Sequence, residues 1–304
     1  MTDAVLAIDI GGTKLAAALV QPGGVLVRSA RRPTPVTTNA DEVWSALTRV
    51  VEEIDAGAVR AVGIACGGPM RDGLVSPLNM PAWRDFPLPD RVRTLVADVP
   101  VVLRNDAIAM AVGEQALGAG RDARAFLGIV VSTGVGGGLV IDGEAVPGPT
   151  GNAGHIGHVV VDADGPPCVC GGRGCLEAIA RGPAVVAWAQ DQGWSADEPD
   201  GRSLVASARG GDPIALAALT RAGRALGIAF ASTAALLNLD AIAVGGGFAA
   251  AGALLLAPTA AAFERHAGMA FVRRCRIVPA ELGSDAGLVG AGVLAHAAAD
   301  RGTD

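Results

Sequence analysis

The sequence predicts an α/β fold of two α/β domains with a cleft between them. Two observations carry that prediction. Short apolar runs ending in glycine turns alternate with longer runs whose apolar residues recur at helical spacing. A strand, a glycine turn and a second strand occur near residue 10 and again near residue 134. The architecture restarts there although the residues do not repeat. The chain has 304 residues, enough for two domains of roughly 100–200 residues each.

The elements follow in order. Val5–Asp9 is an apolar strand running into Gly11-Gly12. Leu15–Val20 and Val25–Arg28 follow, parted by Pro22-Gly23-Gly24, which predicts a three-strand antiparallel meander. From Asp41 to Ile54, Val43, Leu47, Val50, Val51 and Ile54 keep a helical period. Val59–Cys66 reads as a strand closed by Gly67-Gly68-Pro69, and Pro87–Val96 as a helix. Val99–Leu103 is a strand ending at Asn105-Asp106, and Ala107–Leu117 is the helix that starts at those polar residues. The second half opens with Ala125–Val131, which ends in Ser132-Thr133-Gly134. Gly136-Gly137-Gly138 then leads into a hairpin at 139–143. Helices fill Pro183–Gln190, Arg202–Ala208 and Ile214–Leu237; Ala241–Val244 is a strand and Gly287–Ala299 the last helix. These boundaries give a first domain of 1–118 plus the C-terminal helix at about 287–304, and a second of 119–286.

Composition excludes some functions. Twenty-four basic residues against 30 acidic give a net charge of -6, and the only adjacent basic pairs are Arg31-Arg32 and Arg273-Arg274. A nucleic-acid binder would carry a basic stripe, so no nucleic-acid partner is expected. The longest uncharged run, Ala241–Phe263, is 23 residues, but Gly245-Gly246-Gly247 and Pro258 interrupt it. It reads as a strand, a glycine turn and a helix, not as a membrane span. No basic stretch precedes an apolar one at the N-terminus, so a cytoplasmic protein with no membrane partner is expected.

Two counts stand out. The 43 glycines are about twice the usual share. Of the 24 basic residues, the single lysine is Lys14.

Lys14 closes the run Asp9-Ile10-Gly11-Gly12-Thr13-Lys14. Two glycines at a strand-to-strand turn let backbone N–H groups point at phosphate oxygens. Thr13 adds a hydroxyl, Lys14 a cation, and Asp9 a carboxylate able to hold Mg2+ through water. The plain alternative is an ordinary Gly-Gly hairpin. The run is neither a P-loop nor a dinucleotide fingerprint. Ser132-Thr133-Gly134 with Gly136–Gly138 forms a second such turn, and two of them favour a nucleotide clamp. Gly245-Gly246-Gly247 suits either a base and ribose lying on backbone or a close helix–strand contact. Asp106 is either an N-cap, worth about 1 kcal/mol, or a general base taking a proton from a sugar hydroxyl. Asn105 offers a donor and an acceptor, which suits a polyol.

His158, Cys168, Cys170 and Cys175 are spaced 10, 2 and 5 apart. Glycines between the cysteines let three thiolates face one ion. One His with three Cys is a closed tetrahedral set for structural Zn2+, the alternative being a cluster of reduced thiols. Isolated Cys66 and Cys275 read as small buried hydrophobes. The loop from Gly151 to Glu177 also carries His155, which is a ligand contact or a satisfied surface histidine.

Together these residues resemble the ROK (repressor, open reading frame, kinase) sugar kinases over nearly the whole chain. The resemblance rests on Asp9–Lys14, Pro77-Leu-Asn79-Met-Pro-Ala-Trp83, Asn105-Asp106, Ser132–Gly138 and Gly157-His158. Its most specific piece is Cys168-Val-Cys-Gly-Gly-Arg-Gly-Cys-Leu-Glu177. It implies an actin-like, ribonuclease H-like fold, ATP and Mg2+ as cofactors, and a homodimer. It also implies Asp106 as base on the sugar 6-hydroxyl. Gly68, Asn79, Asn105, Asp106, His155, His158 and Glu177 are then the sugar-binding set. Asp9, Gly11, Gly12, Thr13, Lys14, Thr133, Gly134, Gly246 and Gly247 are the nucleotide set, and His158, Cys168, Cys170 and Cys175 hold the zinc.

There is one departure. Many members carry Glu where this chain has His155, whereas members acting on N-acetylmannosamine carry His. An imidazole can donate to an acyl carbonyl or to O1, which a carboxylate cannot. The imidazole turns preference away from plain glucose, and the resemblance makes N-acetylmannosamine the expected acceptor, with glucose and a free aminohexose of the kanosamine type as rivals. A repressor of the same family needs an N-terminal helix-turn-helix, for which Asp9 comes too early. A non-catalytic sugar sensor conflicts with the intact Asp106, Thr133 and glycine loops.

Overall fold

The computed structural model describes residues 3–77, 79–96 and 98–301; Leu78 of the 77–83 motif lies outside them, as does the end of the expected C-terminal helix at 302–304. The chain opens with β1 (Val5–Ile10), β2 (Lys14–Gln21) and β3 (Val25–Pro33), then α1 (Ala40–Ile54) and β4 (Val62–Cys66). A small hairpin of β5 (Met70–Arg71) and β6 (Leu74–Val75) leads to α2 (Leu88–Arg93), β7 (Val101–Asn105) and α3 (Asp106–Leu117). Next come β8 (Ala125–Val131), β9 (Val135–Ile141) and β10 (Glu144–Ala145). Helices α4 (Leu176–Ala180), α5 (Gly182–Asp191), α6 (Gly201–Arg209) and α7 (Pro213–Leu237) precede β11 (Ala241–Gly245). The chain closes with α8 (Ala253–His266), α9 (Ala270–Arg273), β12 (Arg276–Pro279) and α10 (Ala286–Arg301).

The residues cluster into two compact units. The first is Met1–Asp122, Gly138–Gly154 and Glu281–Asp304; the second is Ala123–Gly137 and His155–Ala280. Segment 138–154, drawn from sequence into the second domain, belongs with the first. Two contacts explain it. A Cβ on Gly138 would lie 2.5 Å from the Ile108 Cα in α3, so only glycine lets β9 pass that close. Asn152 then exchanges hydrogen bonds with Met70, its Oδ1 accepting from the Met70 N–H at 3.2 Å and its Nδ2 donating to the carbonyl at 3.0 Å.

The first sheet runs β3-β2-β1-β4-β7. Its meander is antiparallel, and β4 and β7 add in parallel. β1 is buried on both faces, and side chains alternate along it. Leu6, Ile8 and Ile10 enter a core with Val43, Leu47 and Val50 of α1. The odd positions emerge on the other face, under α10, and Asp9 is among them. The second sheet runs β10-β9-β8-β11-β12, again a hairpin followed by parallel strands. The expected restart of architecture thus extends to whole sheets. In α7, most of the long apolar stretch is buried inside the fold, as in a core helix.

Candidate active site

In the first unit, polar residues gather at the carboxyl ends of β1, β4 and β7. The β1–β2 turn is closed by the Gly11 N–H donating to the Lys14 carbonyl at 2.9 Å, and Thr34 Oγ1 donates to the Gly11 carbonyl at 2.7 Å. Asp9 is 8% exposed and pairs with Lys14 Nζ at 3.3 Å. Burial pushes its carboxyl up from the usual carboxylate range, and the Lys14 ammonium offsets part of that. Lys14 Nζ also donates to the Ser284 carbonyl at 2.9 Å, so this lone lysine is held between two oxygens.

Asn105, not Asp106, caps α3. Its Oδ1 accepts from the Ala107 N–H at 3.0 Å and its Nδ2 donates to the Gly68 carbonyl at 3.2 Å. Asp106 is the first helical residue; its Oδ1 takes the same N–H at 2.8 Å, while Oδ2 faces Gly67. The N-cap explanation for Asp106 therefore fails, because its neighbour already fills that position. Asn79 lies four residues before a buried anchor. Trp83 is fully buried, stacks on Phe86 with centroids 4.3 Å apart, and donates from Nε1 to the Ala40 carbonyl at 3.2 Å.

The glycines here are packing requirements more than turn requirements. A Cβ on Gly12 would lie 2.7 Å from Asn79 Cβ, on Gly67 3.0 Å from Asp106 Oδ2, and on Gly287 3.0 Å from Asp9. In the second unit a Cβ on Gly134 would lie 2.9 Å from Glu177 Oε2. Four of the expected site side chains thus each rest on a glycine. Gly68 differs, because its φ of +86° requires glycine outright.

The second unit carries the remaining candidates. Glu177, in the first turn of α4, is 9% exposed, and its Oε2 accepts from the Val135 N–H at 2.8 Å. It therefore braces the Ser132–Gly134 turn. The His155 and His158 rings face each other with centroids 6.2 Å apart. The donor atoms of His158, Cys168, Cys170 and Cys175 lie within 4.8 Å of one another. His158 Nδ1 is 3.8 Å from Cys168 Sγ, and Cys170 Sγ is 3.7 Å from Cys175 Sγ. Burial and its thiol neighbours push Cys175 up to about 12. Three thiols this close can all ionise only beside a cation, and one His with three Cys is a closed tetrahedral donor set. The residues fit a structural metal.

A cavity of about 650 Å³ opens beside the Ser132–Thr133 turn, lined in part by Thr133, Gly182, Asp200, Arg202, Gly247 and Phe248. Thr133 and Gly247 belong to the set that the sequence assigns to nucleotide. Gly246 lies just behind, where a Cβ would meet the Val131 carbonyl at 2.4 Å. Sequence reasoning missed Asp200, Arg202 and Phe248, which no local motif marks.

The ROK family profile matches residues 5–298. The chain is 40% identical over 298 residues to the N-acetylmannosamine kinase of Escherichia coli O139:H28 (strain E24377A / ETEC), covering 96% of this chain and 98% of that one. It is similar to the solved structure of a ROK family glucokinase from Streptomyces griseus in complex with glucose and AMPPNP. That match has a TM-score of 0.84 and 34% identity, over 97% of this chain and 99% of that one. The ROK hexokinase from Thermus thermophilus matches with a TM-score of 0.85 and 33% identity, over 98% and 99%. The likeness establishes the actin-like, two-domain α/β fold.

Proposed function

The chain belongs to the ROK family, and from that premise we propose that it transfers the terminal phosphoryl group of ATP to the 6-hydroxyl of an amino-hexose, N-acetylmannosamine first. One observation carries the chemistry: Asp106 stands at the mouth of α3 with its capping duty taken by Asn105. As the sugar oxygen bonds to the terminal phosphorus, Asp106 accepts the hydroxyl proton and ADP leaves. Backbone N–H groups of Gly12 and Gly134, with Thr13, Thr133 and Lys14, hold phosphate oxygens, while the Gly11 N–H closes the turn that presents them. Gly247, with Gly246 packed behind it, borders the base and ribose in the cavity that Phe248 lines.

Asp9 is the residue for Mg2+, which supplies neutralising charge to the phosphates. The His158 and cysteine set holds Zn2+, which fixes the loop bearing His155 and Glu177. Gly68, Asn79, Asn105, His155, His158 and Glu177 contact the sugar. His155 selects the acyl group.

The test is a phosphorylation panel of N-acetylmannosamine, glucose, N-acetylglucosamine, mannose, glucosamine and kanosamine, compared by kcat/KM. N-acetylmannosamine leads, and no turnover of any hexose would remove the kinase reading. His155→Glu shifts the ratio toward glucose by about tenfold, and an unchanged ratio would remove His155 as the selector. A homodimer belongs to the same proposal, and a monomer mass by light scattering would exclude it.

A further inference from the structure

Glu114 has no part in the proposed machinery, yet its side chain is wholly buried at 0% exposure. It lies on α3, about two turns from Asp106. Its Oε2 accepts from the Ala119 N–H at 2.9 Å and the Glu281 N–H at 3.0 Å, and its Oε1 accepts from the Leu282 N–H at 2.7 Å. Burying a carboxylate is costly unless such donors surround it. Gly118 leaves it room, for a Cβ there would lie 2.1 Å from Oε2.

What the carboxylate holds matters more than the holding. Residues 281 and 282 begin the segment that leads into α10. Two residues further on, the Ser284 carbonyl accepts from Lys14 Nζ, Asp285 pairs with Arg31, and Gly287 then lies against the Asp9 carboxylate. One end of α3 therefore bears Asp106. Further along, the same helix pins the wall behind Asp9 and Lys14.

We propose that Glu114 is a positioning residue for the magnesium–nucleotide corner: it fixes segment 281–287, and through it Asp9 and Lys14, relative to the helix that carries the base. The inference rests on the kinase reading, since it assigns Asp9 and Lys14 to magnesium and phosphate.

Glu114→Gln keeps the volume but turns an amide N–H toward backbone donors. MgATP affinity is measured by calorimetry, sugar affinity likewise, with both KM values and the Tm. MgATP binding weakens about tenfold and the KM for ATP rises with it, while sugar affinity holds. Gly118→Ala drives a methyl into Oε2 and gives the same split with no change of charge. It decides the matter alone if Glu114→Gln does not fold. Leu47→Ala, in the α1 core, is the control: it lowers Tm and the folded fraction but moves neither KM.

Unchanged MgATP affinity in a folded Glu114→Gln or Gly118→Ala, or a pattern matching Leu47→Ala, would overturn the proposal. A wild-type protein that bound no MgATP would take down the kinase reading and this inference together. A wild type that bound it, with both variants unaffected, would take down this inference alone.

Discussion

Asp106→Asn lowers turnover by roughly 10²–10⁴-fold while sugar binding survives. The amide has the volume of the carboxylate, so the close seat against Gly67 is kept. Asn105 still caps α3 through the Ala107 N–H, so the helix still begins where it does. What disappears is the ability to take a proton. A cap residue would behave differently, costing about 1 kcal/mol of stability with turnover intact. The two roles therefore separate on one variant: kcat and sugar affinity by calorimetry on one side, Tm on the other. Turnover near the wild-type level would remove Asp106 as base. Asn105→Ala supplies the complementary result, because it removes the cap and the bond to the Gly68 carbonyl and so lowers Tm.

The cap of α3 falls on Asn105, where the sequence left it open at Asp106, for a physical reason. Two polar residues in a row mark a strand-to-helix junction, and that junction was readable. Which of them caps depends on where helical geometry begins, and one residue of shift decides it. The strand–turn–strand that opens each sheet was legible for a sturdier reason. It is an apolar hairpin around glycines, a pattern that survives errors at its edges. β12 was not legible, because Arg276–Pro279 is short, largely exposed or half-buried, and ends in proline.

Glu114 was missed although a signal existed. Residues 107–113 of α3 are all buried, so the helix has no solvent face there. An acidic residue in such a helix must find donors in the fold, and sequence does not say where. Its donors come from 119 and from 281–282, and only tertiary structure joins those positions. Lys14 was singled out as the chain's one lysine, and its two oxygen partners supply the reason. A compact ammonium fits between Asp9 and the Ser284 carbonyl, where a planar guanidinium would not satisfy both in the same way.

Removing the metal has the other large effect. Metal analysis finds about one zinc per chain, and stripping it with a strong chelator abolishes turnover. The route runs through the backbone. Cys175 immediately precedes α4, and the Leu176 N–H donates to the Val159 carbonyl at 2.9 Å. Glu177 follows in the first turn and braces the Ser132–Gly134 loop through the Val135 N–H. Without the metal the thiols take up protons, the ligand bonds that close the knuckle are gone, and Glu177 loses its fixed position. The loss then reaches sugar binding and the second glycine loop together. Cys175→Ser reproduces it, and Cys275→Ser, far from the cluster in sequence, keeps both metal and turnover. A readout independent of catalysis is trypsin: Arg173 is exposed inside the knuckle, so cleavage there is slow in the zinc form and fast after chelation. Full turnover in protein shown to hold no zinc would end this account, whereas restored trypsin resistance and activity on adding zinc back would support each link of it.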